Sequence, residues 1–149
     1  MDQSAAREAE ASFFRALNAA VEPLARSGVL GPGLSPVGLV VVETMGHRSG
    51  RLHRVPLMAA RLGPLVIVGT ARGARSAWVR NLAEHDVTAF WLNGIATSAR
   101  ATVLRPGQPA PSDGGSAAVR LLTPLLVPWT LSGWAFALLE PEARPEQPG

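Results

Sequence analysis

The chain reads as one α+β domain, a small barrel of antiparallel strands with helices at its periphery. Three observations predict this. Its 149 residues are of single-domain size and 47% of them are apolar, enough for one core. Runs of β-branched and apolar residues outnumber helical patterns. Asn93-Gly94 between two such runs is a two-residue hairpin signal, which favours antiparallel pairing over a doubly wound parallel sheet.

In chain order, residues 4–26 form the first expected helix. Phe13, Leu17, Val21 and Leu24 recur at three- and four-residue spacing behind Ser4 as N-cap, and Pro23 sets the last turn apart. Residues 27–36 break the pattern with Gly and Pro. Strands are expected at Val37–Thr44, at Leu52–Ala60 after a turn, and at Leu65–Thr70, with Pro56 at an edge or a bulge. Ser76–Glu84 is a short helix capped by Ser76. Val87–Leu92 and Ile95–Leu104 form the hairpin. After the loop Pro106–Gly115 come a helix at Ser116–Leu126 and a last strand at Leu131–Leu139. Residues 1–140 are therefore taken as the domain and 141–149, rich in Pro and polar residues, as a disordered tail.

The absence of cysteine excludes disulfides, thiolate metal sites and a cysteine nucleophile. No apolar run reaches the roughly 20 residues of a membrane span. The acidic, mixed start MDQSAAREAE lacks the pattern of a signal peptide, so a cytoplasmic location is expected. His47, His53 and His85 have no metal-ligand spacing, so no metal is expected. No G-x-S-x-G elbow, Walker loop, G-x-G-x-x-G fingerprint or nucleic-acid-binding motif is present. The apolar segment 119–136 lacks the basic face of an interfacial helix, which argues against membrane insertion.

All 14 cationic residues are Arg, and their distribution is informative. Between Gly46 and Asn81 stand seven Arg, two His and no acid. Such a field concentrates phosphates and carboxylates. Within it lie two constellations. In the first, Thr44-Met45-Gly46-His47-Arg48-Ser49-Gly50-Arg51-Leu52-His53-Arg54, two glycines let main chain approach a ligand, and turn amides with Ser49 can form an anion nest. Arg48, Arg51 and Arg54 offer forked donors for phosphate or carboxylate. A solvated hairpin tip is the plain alternative. The second, Gly69-Thr70-Ala71-Arg72-Gly73-Ala74-Arg75-Ser76-Ala77-Trp78-Val79-Arg80-Asn81-Leu82, runs from a strand through small residues into a helix N-terminus, which favours anions and polarised carbonyls. Small residues there let a flat ring lie against the backbone. Trp78 could wall that ring, although packing in the core is the better reading of a large aromatic taken alone.

In this order and spacing, the constellations resemble the deazaflavin-dependent nitroreductase family of oxidoreductases, whose pattern is T-x-G-R-K-S-G-R-P-R-x-x-P-L followed by W-x-x-N-L. The matching residues are Thr44, Gly46, Arg48, Ser49, Gly50, Arg51, Pro56, Leu57, Trp78, Asn81 and Leu82. The resemblance implies a split β-barrel, as in FMN-binding and pyridoxamine-phosphate-oxidase-like proteins, and coenzyme F420 as cofactor, with FMN less favoured. It implies that Arg48, with Ser49, Gly50, His47 and Arg54, holds the anionic tail. It also implies that Thr70, Ala71, Arg72 and Gly73 face the deazaflavin ring with Trp78 nearby. Gly73→Val is then expected to block the ring while leaving the fold intact. The reaction implied is hydride transfer to a small organic acceptor such as an enone or quinone, in a biosynthetic or detoxifying role. Leu52-His53 replaces the family's Pro-Arg, and a chain with no Tyr lacks that branch's pocket tyrosines. His47, His53 or water is left as proton donor. Phe13, Leu17, Trp129 and Trp134 are the candidate substrate wall, with simple core as their alternative. A non-redox isomerase or cyclase on the same barrel, or a non-catalytic ligand-binding module, are the competing readings. A homodimer stays open.

Overall fold

A computed structural model describes residues 8, 11–20, 22, 34–46, 48–63, 65–92, 94–109 and 116–142. Ser4, His47, Asn93 and the tail 143–149 lie outside the described residues. Helix α1 occupies 11–20. The strands are β1 (Leu34–Met45), β2 (Leu52–Leu62), β3 (Leu65–Thr70), β4 (Val87–Leu92), β5 (Ile95–Leu104) and β6 (Ala135–Pro141). A 3-10 turn (Gly73–Arg75) leads into α2 (Ala77–Glu84), and α3 (Ala117–Thr130) precedes β6. The strands close into an antiparallel barrel in the order β1-β2-β3-β6-β5-β4. The α+β barrel expectation is met.

The two faces of this barrel explain why β3 and β6 read as unbroken apolar runs. Side chains alternate across a strand. Val66, Val68, Ala135, Ala137 and Leu139 join Val40, Val42 and Phe90 in an inner cluster. Their neighbours Leu65, Ile67, Phe136 and Leu138 join Phe13 and Leu17 of α1 and Leu122 and Leu126 of α3 in an outer one. Both faces of those strands are thus covered, whereas β2 starts exposed and becomes buried only from Leu57. Pro56 pairs with Val41 of β1, while β3 reaches only Ala59–Leu62 of β2. One side of β2 is therefore an edge at Pro56, where a missing N–H costs no ladder bond.

Several expected boundaries differ: β2 runs to Leu62, and β6 runs through Pro141, so the barrel takes in the first residue of the expected tail. Strand β1 begins at Leu34, with an irregular register between Pro36 and Gly38. Helix α3 does not stop at Leu126 but runs through Pro124 and Pro128 to Thr130. Thr123 Oγ1 donates to the Val119 carbonyl at 2.8 Å and Thr130 Oγ1 to that of Val127 at 2.6 Å, so hydroxyls bond carbonyls of the proline-interrupted helix. The last strand consequently starts at Ala135 rather than Leu131, and residues 131–133 form the turn between them. Among the described residues no helix is long and apolar enough to cross a membrane, and no cluster of three His, Cys, Asp or Glu could hold a metal ion.

Candidate functional site

The β1–β2 turn is tightly tied. Gly46 N–H donates to the Arg51 carbonyl at 2.7 Å, and Gly50 N–H to that of Gly46 at 3.0 Å. The Arg51 N–H donates to Ser49 Oγ at 3.2 Å. Gly50 has a φ of 68°, the left-handed conformation that favours glycine. A Cβ at Gly46 would lie 2.6 Å from Ser49 Oγ and 3.0 Å from His53 Nε2. The bare Gly46 main chain thus forms the floor of a small cradle with a hydroxyl and an imidazole as walls.

The second constellation also folds as a compact turn. The Arg72 N–H donates to Thr70 Oγ1 at 3.1 Å, and the 3-10 turn closes with Ser76 N–H donating to the Gly73 carbonyl at 3.2 Å. Ser76 occupies the N-cap of α2 in extended conformation, but its side chain makes no capping bond. The first amides of a helix have no intrahelical acceptor. The α2 N-terminus therefore keeps donor capacity, with a hydroxyl beside it.

These two segments meet at one cavity of about 590 Å³. Thr44, Gly46, Arg48, Ser49, His53 and Val55 line it from the hairpin side, and Arg72, Arg75, Ser76, Ala77, Trp78 and Asn81 from the helix side. Among the described residues, that lining holds three guanidinium-bearing residues and no carboxylate. Trp78 is both wall and core, only 6% exposed and packed in the inner cluster. Thr44 and Asn81 join the halves directly. Asn81 Nδ2 donates to Thr44 Oγ1 at 3.1 Å, both residues being buried.

Of the residues singled out in the sequence, Arg48, Ser49, His53, Arg72 and Trp78 come together here. Gly50, Thr70 and Ala71 shape the turns without lining the cavity. Arg54 lies elsewhere. It pairs with Glu43 at 3.5 Å and stands 4.7 Å above the Trp91 ring. Glu43 lines a second cavity with Glu84 and Asp86, and Thr44, its neighbour along β1, lines the first. Gly73 is buried away from the cavity: a Cβ there would run into the Gly133 carbonyl oxygen and lie 3.3 Å from Pro106. With a φ of 60° it has no room for a side chain, so the expectation that Gly73→Val spares the fold is corrected. Phe13, Leu17 and Trp134 belong to the outer core, with Trp129 packed against it, and none of them lines this cavity. Trp134 stacks on Phe136 at 5.8 Å and sits 6.3 Å from Phe13. Arg75, Ser76 and Asn81 were not singled out as site residues. The signal was the helical spacing that puts Ala77, Trp78 and Asn81 on one face.

The model of the F420H(2)-dependent quinone reductase family matches residues 16–104, which include both turns. A search of curated proteins found no match. Among solved structures, an F420-H2 dependent reductase, FDR-A, is 16% identical, with 67% of this chain and 92% of that one covered and a TM-score of 0.43. A pyridoxamine 5′-phosphate oxidase-related, FMN-binding protein from Nostoc punctiforme is 12% identical, with 88% and 78% covered and a TM-score of 0.49. The heme storage protein HutZ from Vibrio cholerae is 12% identical, with 83% and 92% covered and a TM-score of 0.45.

Proposed function

The chain belongs to the F420H(2)-dependent quinone reductase family, a family of oxidoreductases, and from that premise we propose that the cavity between the β1–β2 turn and α2 holds the anionic deazaflavin and that the acceptor is a quinone or a related enone. One observation carries this reading: two separate segments, 44–55 and 72–81, supply three arginines and, among the described residues, no carboxylate to a single cavity. Its volume of about 590 Å³ falls within the ordinary range for small-ligand pockets. The Gly46 cradle and the donor set suit a phosphate or carboxylate, and the flat Trp78 beside the uncapped helix end suits a ring with polarised carbonyls.

When bound, the reduced deazaflavin supplies a hydride. The chain's own residues do the rest. Arg48, Arg72 and Arg75 bind the anionic groups through charge-assisted bonds. Ser76 and the first amides of α2 orient the ring carbonyls, because the helix dipole is positive there. Trp78 excludes water from one wall and limits how the acceptor can approach. His53, whose imidazole stands beside the Gly46 floor, or water supplies the proton that the reduced product takes up; His53 is the imidazole among the described lining residues.

Fluorescence titration with oxidised and reduced deazaflavin tests binding, and isotopic label on the reactive ring carbon tests transfer. Saturable binding and label in the reduced quinone are expected. Equal product formation without deazaflavin would overturn the reading in favour of a non-redox reaction.

A further inference from the structure

Helix α2 is held to the barrel by Trp78, Val79 and Leu82 in the inner core. Apolar contact of this kind is strong but non-directional. It keeps the helix on the barrel but reaches no residue of the β1–β2 turn among the described residues. A contact that carries direction is the bond from Asn81 to Thr44, between residues 37 positions apart in sequence, 4% and 2% exposed. A buried polar pair costs desolvation that two aliphatic side chains would avoid, so its presence calls for a reason beyond packing. Its placement supplies one. Thr44 pairs with His53 across the β1–β2 ladder and stands two residues before Gly46, so it anchors the hairpin half of the cavity. Asn81 is one turn beyond Trp78 on α2, and its own carbonyl accepts the His85 N–H that ends the helix.

We propose that Asn81 and Thr44 are positioning residues, whose mutual hydrogen bond sets the spacing between the anion-binding turn and the α2 N-terminus. This rests on the cofactor reading above. Neither residue is assigned a part in the chemistry. Their bond holds Arg48 and the Gly46 cradle at a fixed distance from Ser76 and Trp78, so that the charged tail and the ring of one ligand are both met at once.

Three variants test it: Asn81→Ala, Thr44→Val, which removes only the hydroxyl while keeping a β-branched residue in the strand, and Thr44→Ser, which restores it. Two readouts are made well below each variant's melting midpoint: amide hydrogen exchange at Gly46 and Gly50 in the ligand-free protein, and the dissociation constant for reduced deazaflavin. Asn81→Ala and Thr44→Val should speed exchange at both amides at least fivefold and weaken binding at least tenfold. Thr44→Ser should stay within twofold of wild type, and the double variant should be no worse than either single one. Lower melting temperatures with unchanged exchange and unchanged affinity would reduce the pair to a stabilising contact and overturn the proposal. If the wild-type protein binds no deazaflavin, the cofactor reading fails, while the exchange measurement still decides whether the bond positions the turn.

Discussion

Arg48 stands at a cavity whose lining, among the described residues, contains no acid to compete for its guanidinium. It is exposed, so solvent screens its contacts and the low end of the charge-assisted range applies, about 1.5 kcal/mol. Arg48→Ala should therefore weaken deazaflavin binding about tenfold. Arg54→Ala, which removes an ion pair with Glu43 on the other side of β1, should weaken it far less. Titration of both variants checks the contrast. The glycines make a second contrast at this scale. A methyl at Gly46 meets the movable ends of Ser49 and His53, whereas one at Gly73 meets the fixed carbonyl of Gly133. Gly46→Ala should fold with little loss of melting temperature and lose affinity at least about tenfold. At Gly73 the backbone strain alone costs about 1–3 kcal/mol, so Gly73→Val should lower the melting temperature by roughly 5–10 °C. Thermal melts paired with titrations separate the two cases.

At the scale of the element, the N-terminus of α2 sets helix stability against the proposed binding. Its N-cap serine leaves the first turn uncapped, beside the cavity. Ser76→Asp would supply a better-charged cap to the helix dipole, a gain of about 0.5–2 kcal/mol, while placing a negative charge where an anion is to bind. The expected outcome is a melting temperature that is unchanged or higher together with weaker deazaflavin affinity. A parallel loss of both would contradict it. Helix α3 offers the opposite lesson. Pro124 is exposed, lacks the N–H of a helix interior residue and is tolerated beside the Thr123 back-bond. Pro124→Ala should raise stability by about 0.5–2 kcal/mol, read as a higher melting midpoint, without changing ligand affinity.

At the scale of the whole molecule, two cavities of opposite charge flank β1 among the described residues. One side of β1 carries the arginine-lined cavity, the other a cavity with Glu43, Glu84 and Asp86. Exposed charges interact over about 10 Å at 0.1 M salt and over about 3 Å at 1 M. Deazaflavin affinity should accordingly fall steadily as salt rises. An affinity flat across that range would point to apolar contact with Trp78 as the main source of binding and away from the arginines.

How much of this was legible in the sequence follows from what is local. The spans of β3, β4 and β5 and the hairpin between β4 and β5 were readable, because alternation, β-branching and turn chemistry act over a few residues. The acid-free stretch and the two turn constellations were likewise on the surface of the sequence, and with them the family. The end of α3 was not, since proline is a local stop signal that hydroxyl back-bonds and burial of Leu126 overrode. Nor was the allocation of side chains to faces. Arg48 and Arg54 look equivalent in the sequence, yet barrel closure puts one at the cavity and leaves the other against Glu43 and Trp91. Gly73 looked like a ligand contact and is a packing contact with the turn after α3. The Asn81–Thr44 bond joins elements separated by two strands and a 3-10 turn. The sequence by itself determined which elements form and which charge the middle of the chain carries. Only the tertiary structure decided which of those residues share a cavity, because that depends on how six strands close on one another.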